Sequence, residues 1–496
     1  MKPAVIFATA VFVAAALAPA PSSVAGQQPP GAQGNPSKAP GTILKNKAPV
    51  SKEILKVTLP RAQEGDLSNG VHVIVIEDHR APQVFFRLLV DGAGGFYDPP
   101  AIPGLATFTA ALMRQGTATK TSEQISEQLD RLAAGVGVAA SMNSGIATVS
   151  GSGLTNNLDT VLALMADVLI NPSFPQVEID RYKARQRGFI MQNRALPGFL
   201  AQERLVKAIF GDHPLSRIAP TPTALDALTH DALVQFHKAH YLPDKAVLGV
   251  SGDITLKEAI AKAEAAFGAW KKSGAAIDLL KDPVPTTGPS IALIARPNSV
   301  QTSLRVGAQS LRRTDPDYDA LTVANHVLGG GPTGRLFDHL REQKGYTYGA
   351  YSGVNAMRLT GSWTASTDVR SEVTDPALTD LMDEIRQMRD VPLTDKELAD
   401  AKRALVASFA LELEDPYGIL GHYIDSYMYK FPADYWDKYP DRINAITAAE
   451  AERVAKKYWA PDRLQIVAVG DRARVEPALK KLGDVKVYDA DGKPIQ

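Results

Sequence analysis

The sequence predicts an α+β protein built from two homologous halves, and three observations carry that expectation. Residues 228–253 (LTHDALVQFHKAHYLPDKAVLGVSGD) recur as residues 446–471 (ITAAEAERVAKKYWAPDRLQIVAVGD), an offset of 218 (446 minus 228). At that offset Thr229 matches Thr447, Lys238 matches Lys456, Pro243-Asp244 matches Pro461-Asp462 and Gly252-Asp253 matches Gly470-Asp471, so one helix, turn and strand unit occurs twice. Short runs of branched and aromatic residues alternate with helical periodicity, and no Gly-x-Gly-x-x-Gly fingerprint of a dinucleotide-binding sheet accompanies them. Finally, 496 residues of 45% hydrophobic content are enough for several cores at roughly 100 to 200 residues per domain.

The elements follow in chain order. Residues 1–25 combine Lys2, an apolar run from Ala4 to Ala18 and the small triplet Ser23-Val24-Ala25, which reads as a secretory signal peptide cleaved near Gly26. That run falls short of the roughly 20 residues that span a bilayer, so the mature chain is expected to be secreted across an inner membrane into a periplasm-like compartment. Residues 26–55, rich in Pro, Gly and Gln, read as a flexible tether. The first half, 56–270, opens with a strand pair, 72–77 (HVIVIE) and 84–90 (VFFRLLV), around the turn-prone DHRAPQ. Thr121 and Gln124 form a capping box for a helix that Gly135 should end, and 135–153 reads as a hairpin. Residues 271–289 are the linker and 290–496 the second half, where 303–317 loosely repeats the strand and Asp-Pro turn of 84–100.

Composition excludes several function classes. Lys+Arg and Asp+Glu are equal at 54 each, so no overall field favours nucleic acid or an anionic membrane. The chain has no cysteine, which removes disulfides, lipobox anchoring, thiolate catalysis and cysteine metal sites. No His-Glu-x-x-His, His-x-x-Glu-His or Gly-x-Ser-x-Gly motif occurs.

Three segments together, 67–78 (LSNGVHVIVIED), 104–117 (GLATFTAALMRQGT) and 326–353 (HVLGGGPTGRLFDHLREQKGYTYGAYSG), resemble the pitrilysin, or insulinase-type, metallopeptidase family, and the resemblance covers nearly everything after residue 56. It implies two pitrilysin-like halves that form one half of a clamshell chamber. In active members the second segment carries two histidines four apart, which share a helix face and bind zinc, and a glutamate that activates the metal-bound water. Here Thr107 and Ala111 stand at the histidine positions and Ala110 at the glutamate position. The family's third ligand would fall on the helix 179–194, where Lys183 to Arg194 contains no acid and four cations, Lys183, Arg185, Arg187 and Arg194. Methyl groups neither ligate zinc nor move protons, and the cations would repel it.

The third segment retains what the resemblance implies is a substrate-binding pair, Arg341 and Tyr348. The guanidinium offers a forked donor set to a peptide carbonyl or carboxylate, and the phenol a donor for a developing oxyanion. The expectation is therefore a non-catalytic, zinc-less subunit that binds peptide substrate beside a zinc-bearing homologous partner, as part of a heteromeric metalloendopeptidase. The alternative is a non-enzymatic peptide-binding or scaffold protein. Other features have plainer readings. Gly329-Gly330-Gly331 with Gly334 permits a tight turn before a helix from Arg335 to Lys344, His230, His237 and His240 are surface histidines, and the basic run is a solvated helix face or a site for an acidic partner.

Overall fold

A computed structural model describes residues 56–272, 274 and 280–495. The signal peptide and tether expected at 1–25 and 26–55, and part of the linker, lie outside the described residues.

Each half contributes a six-stranded sheet. The first contains β1 (Gln63–Asp66), β2 (His72–Glu77), β3 (Gln83–Asp91), β4 (Gly135–Ala140), β5 (Ile146–Leu154) and β6 (Ala246–Gly252), in the order β1-β2-β6-β3-β5-β4. The second contains β7 (Ser290–Ala295), β8 (Gln301–Gln309), β9 (Thr347–Asn355), β10 (Ser362–Arg370), β11 (Gln465–Gly470) and β12 (Val485–Tyr488), in the order β12-β7-β11-β8-β10-β9. Five strands correspond one to one, with β6 matching β11 and β3 matching β8, as the two sequence repeats require. The sixth differs: β1 pairs antiparallel with β2, whereas β12 pairs parallel with β7.

The repeat is legible at the level of caps. Thr229 caps the helix His230–His240 and Thr447 caps Ala448–Tyr458, each hydroxyl accepting a backbone N–H three residues on. The residues between each helix and its strand form a single 3₁₀ turn at Pro243 and at Pro461.

Two expectations change. Strands β2 and β3 are not a pair: β6 lies between them, parallel to β2 and antiparallel to β3. The reason is burial, because every residue of β6 is buried, and an apolar strand with both faces covered sits in the middle of a sheet. The capping box of Thr121 and Gln124 is present, but the helix ends at Leu132 with Ala133 in the left-handed region (φ 48°), and Gly135 instead begins β4.

Strand alternation decides which helices cover which face. Val73, Val75, Val84, Phe86 and Leu88 face a core built with α1 (Leu105–Met113), α2 (Ser122–Leu132) and α3 (Leu158–Ile170). Ile74, Ile76, Leu89 and Val247 point the other way and are covered by Ile419, Leu420 and Ile424 of the helix Pro416–Tyr429, which belongs to the second half. The exchange is reciprocal. After α4 (Gln176–Ala195), α5 (Pro197–Phe210) leaves the first half and lays Leu200, Leu205 and Ile209 on Ala292, Ile294, Val467 and Val469 of the second sheet. Glycines permit the close approach: a Cβ at Gly249 would lie 2.8 Å from Ile424 and 2.9 Å from Leu420, and one at Gly307 would lie 3.0 Å from Ile209.

Candidate functional site

The segment 104–117 folds as α1, and its start is fixed by Asp98, whose carboxylate accepts the amides of Gly104 (2.6 Å) and Ala106 (2.7 Å). Burial pushes the Asp98 carboxyl up to about 6, against the opposing pull of those two amides. The helix then lies along β4, the edge strand of the first sheet. Thr107 donates its hydroxyl to the Ala140 carbonyl at 2.9 Å, and Arg114 donates to the Val136 carbonyl at 3.2 Å. Ala110 is buried and Ala111 is half-buried against the first core. These positions therefore latch a helix to a strand edge. α4 packs beside α1 through the Tyr182 ring, edge-on to Phe108 at 5.9 Å.

The basic run of α4 is partly neutralised within the chain. Arg187 ion-pairs with Asp226 at 2.6 Å, Lys183 reaches the Asp226 carbonyl and Arg194 pairs with Glu203. Among the described residues no three His, Asp or Glu side chains come together as a metal-binding group. The donor set at α1, one hydroxyl already engaged and two methyls, does not fit zinc.

The second candidate pair stands at the equivalent edge of the second sheet. The stretch after Gly334 is not one α-helix to Lys344: a single turn, Arg335–Phe337, passes into a π-helix, Asp338–Gln343. Such wide turns are rare and frequent at functional sites. His339 anchors it, its Nδ1 2.8 Å from Glu384 and its Nε2 3.7 Å from Asp380 on the helix Thr374–Asp390. Arg341 projects from this turn, its guanidinium 4.6 Å from the centre of the Phe337 ring and its side chain 44% exposed.

Tyr348 follows in β9 and is 90% exposed. Alternation alone would place it on the face of Ala350 and Ser352, which are buried. A bulge prevents this: Thr367 pairs with Ala350 and Val369 with Thr347, so Tyr348 and Gly349 together oppose Asp368. The extra residue turns Tyr348 out to solvent. Threonines hold the bulge: the single hydroxyl proton of Thr347 lies within reach of the Asp368 carbonyl (2.7 Å) and the Gly349 carbonyl (3.0 Å), its oxygen accepts from the Gly349 amide, and Thr367 donates to the Gly349 carbonyl.

The structure thus exposes Arg341 on the π-helix and Tyr348 on β9, the strand that follows it, and places Thr107, Ala110 and Ala111 on a different element. Sequence reasoning missed His339 and the bulge, since register is set by the partner strand. It also placed the histidines wrongly. His237 and His240 are half-buried and meet the carbonyls of Leu169 and Gly92, each at 2.7 Å. Burial holds both imidazoles below their ordinary pKa. Of these three, His230 is the one that sits at the surface, beside Asp231.

Comparison with known proteins shows the family and the fold. Residues 72–223 match the family described as insulinase (peptidase family M16), and residues 227–405 match the peptidase M16 inactive domain. A solved peptidase M16 inactive domain from Pseudomonas fluorescens is similar with a TM-score of 0.76 and 29% identity, over 83% of this chain and 98% of that one. A protease structure from Helicobacter pylori shares the fold with a TM-score of 0.76 at 17% identity, over 83% of this chain and all of that one (100%). Among sequence relatives, an uncharacterized zinc protease of Bacillus subtilis is 24% identical over 395 residues, 79% of this chain and 95% of the relative. One of Streptomyces coelicolor is 27% identical over 388 residues, 76% of this chain and 78% of the relative.

Proposed function

We propose that this chain, which belongs to the pitrilysin-type M16 peptidase family, is a non-catalytic subunit that binds peptide for a separate, zinc-bearing homologue. The observation that carries the reading is an asymmetry. Where the family holds its metal, this chain has a hydroxyl spent on the Ala140 carbonyl and two methyl groups. Where the family holds substrate, Arg341 stands exposed on a π-helix and Tyr348 at a bulge. A chain retired from peptide handling has no reason to keep a rare turn and a bulge that expose two donors.

In this reading the guanidinium of Arg341, steadied by the Phe337 face, grips a peptide carbonyl or carboxylate by two parallel N–H donors. The Tyr348 hydroxyl donates to oxygen charge as it develops on the scissile carbonyl. This chain binds and orients, and the partner does the bond breaking. That two sequence relatives are named zinc proteases supports looking for such a partner. An envelope location for the pair would follow from the signal peptide expected at residues 1–25. No helix among the described residues is long and apolar enough to cross a membrane.

The test is cleavage of a quenched fluorescent peptide library by the purified chain with added zinc, by a zinc-bearing homologue from the same source, and by the mixture. Silence alone with a rate in the mixture well above the homologue's own supports the reading. The variants Arg341→Ala and Tyr348→Phe should each lower the rate of the mixture at least about tenfold, the cost of one lost transition-state contact of ~1.4 kcal/mol, with assembly unchanged by size-exclusion chromatography. No gain on mixing, or full activity from both variants, sinks it and favours the scaffold alternative.

A further inference from the structure

A second site is lined by neither Arg341 nor Tyr348 nor any residue of α1, although Ala140, the partner of Thr107, stands at its wall. A cavity of about 510 Å³ opens between the β3–β5 face of the first sheet, the segment Met357–Leu359 of the second half and the helix Pro416–Tyr429. That volume lies within the range of roughly 300 to 1,000 Å³ usual for small-molecule sites.

Its charged lining is uneven. Arg87, Arg312 and Arg358 present three guanidinium groups, and Asp425 is the one carboxylate among the lining residues. Arg358 gives only Nη1 to Asp91 (2.8 and 3.0 Å), and Arg312 gives only Nη2 to Asp282. The remaining nitrogens of both forks make no hydrogen bond among the described residues. Arg87 is half-buried, its guanidinium 5.9 Å from the Tyr417 ring centre, with no ion pair among the described residues. Asp425 likewise has none, although Arg313 and Arg87 lie near enough to act on it. Burial raises its carboxyl above the ordinary range, and those two cations oppose the rise. The remaining wall is mixed: Leu89, Ile146, Leu359 and Met428 form an apolar part, and Ser141, Asn143, Ser144 and Thr148 a neutral polar one.

This combination selects a ligand class. Guanidinium forks match a carboxylate bidentately. A half-buried aspartate among them is a poor neighbour for a bare dianion and a good one for an ammonium group; the apolar part of the wall accepts hydrocarbon between the two charges, and the neutral polar part accepts a peptide amide. We propose that this cavity binds a free apolar dipeptide, with its C-terminal carboxylate on the arginines and its ammonium on Asp425. The inference does not rest on the partner-subunit reading, since it concerns this chain alone.

The experiment is isothermal titration calorimetry of the full chain with leucyl-leucine, leucyl-leucinamide, N-acetyl-leucyl-leucine and inorganic phosphate. Leucyl-leucine should bind saturably at one site per chain. The amide and the acetylated dipeptide should each bind at least tenfold more weakly. Arg87→Gln should weaken leucyl-leucine at least tenfold, and Asp425→Asn should bring it to the level of the acetylated form while leaving that form unaffected. Circular dichroism melting checks that both variants fold, and if either does not, the four probes on the unaltered chain decide. Absence of saturable binding, equal binding of the three peptides, or phosphate binding in their place overturns the proposal.

Discussion

Truncating Leu420 to alanine tests the exchange of helices between the halves. Leu420 belongs to the second half, is fully buried (0% exposed) and lies with Ile419 and Ile424 on Ile74, Ile76 and Val247 of the first sheet. The site cannot collapse easily, because β6 lies directly beneath it: even one added methyl at Gly249 would meet Leu420 at 2.9 Å. A buried leucine removed from such a site costs about 3 kcal/mol, the lost transfer energy plus the cavity left behind. At 1.4 kcal/mol per decade this is about a hundredfold in the opening equilibrium. The assay is native-state hydrogen exchange. In Leu420→Ala the amides of β2 and β6 should exchange about a hundredfold faster, while those of β11 change much less. Leu205→Ala, in the helix that covers the second sheet, should give the mirror pattern, accelerating β11 more than β6. If Leu420→Ala leaves β2 and β6 protection within a factor of two, or accelerates only the second sheet, the crossed packing is wrong.

Thr347→Val removes the hydroxyl that joins the carbonyls of Gly349 and Asp368 and the Gly349 amide; it should destabilise the chain by about 1 to 2 kcal/mol in urea unfolding and lower mixed-complex activity as Tyr348→Phe does. A variant with unchanged activity would separate the bulge from function. His422 packs 4.3 Å from Trp436 with no hydrogen bond at Nε2, and burial, with Arg313 nearby, lowers its pKa to about 4. Glu412, 3.4 Å away, is 60% exposed and does little to offset this. The folded state thus holds the neutral ring while the unfolded chain protonates near 6.5, so stability is full above pH about 6.5 and falls as pH drops towards 4, by up to roughly 3 kcal/mol. Urea unfolding of the parent and of His422→Phe from pH 7 to 4 checks it: the variant should show a shallower decline, and parallel curves would exclude His422 as the source.

The sequence by itself determined the two-half architecture, because each repeat carries its own cap, turn and buried strand, and Thr229 with Pro243 and Thr447 with Pro461 act over a few residues. It also determined which groups stand at Thr107, Ala110 and Ala111, one hydroxyl and two methyls, since side-chain identity alone settles what a position can offer a metal. Tertiary structure decided the rest. Strand β6 enters between β2 and β3 because its fully buried run needs neighbours on both edges, a demand met by residues far away in the chain. His237 and His240 became interior hydrogen-bonding groups because the carbonyls of Leu169 and Gly92 arrive from other elements. The exposure of Tyr348 depends on a mismatch of one residue between β9 and β10. Local sequence sets the period of a strand, but its register, and hence which side chain meets solvent, belongs to the pair.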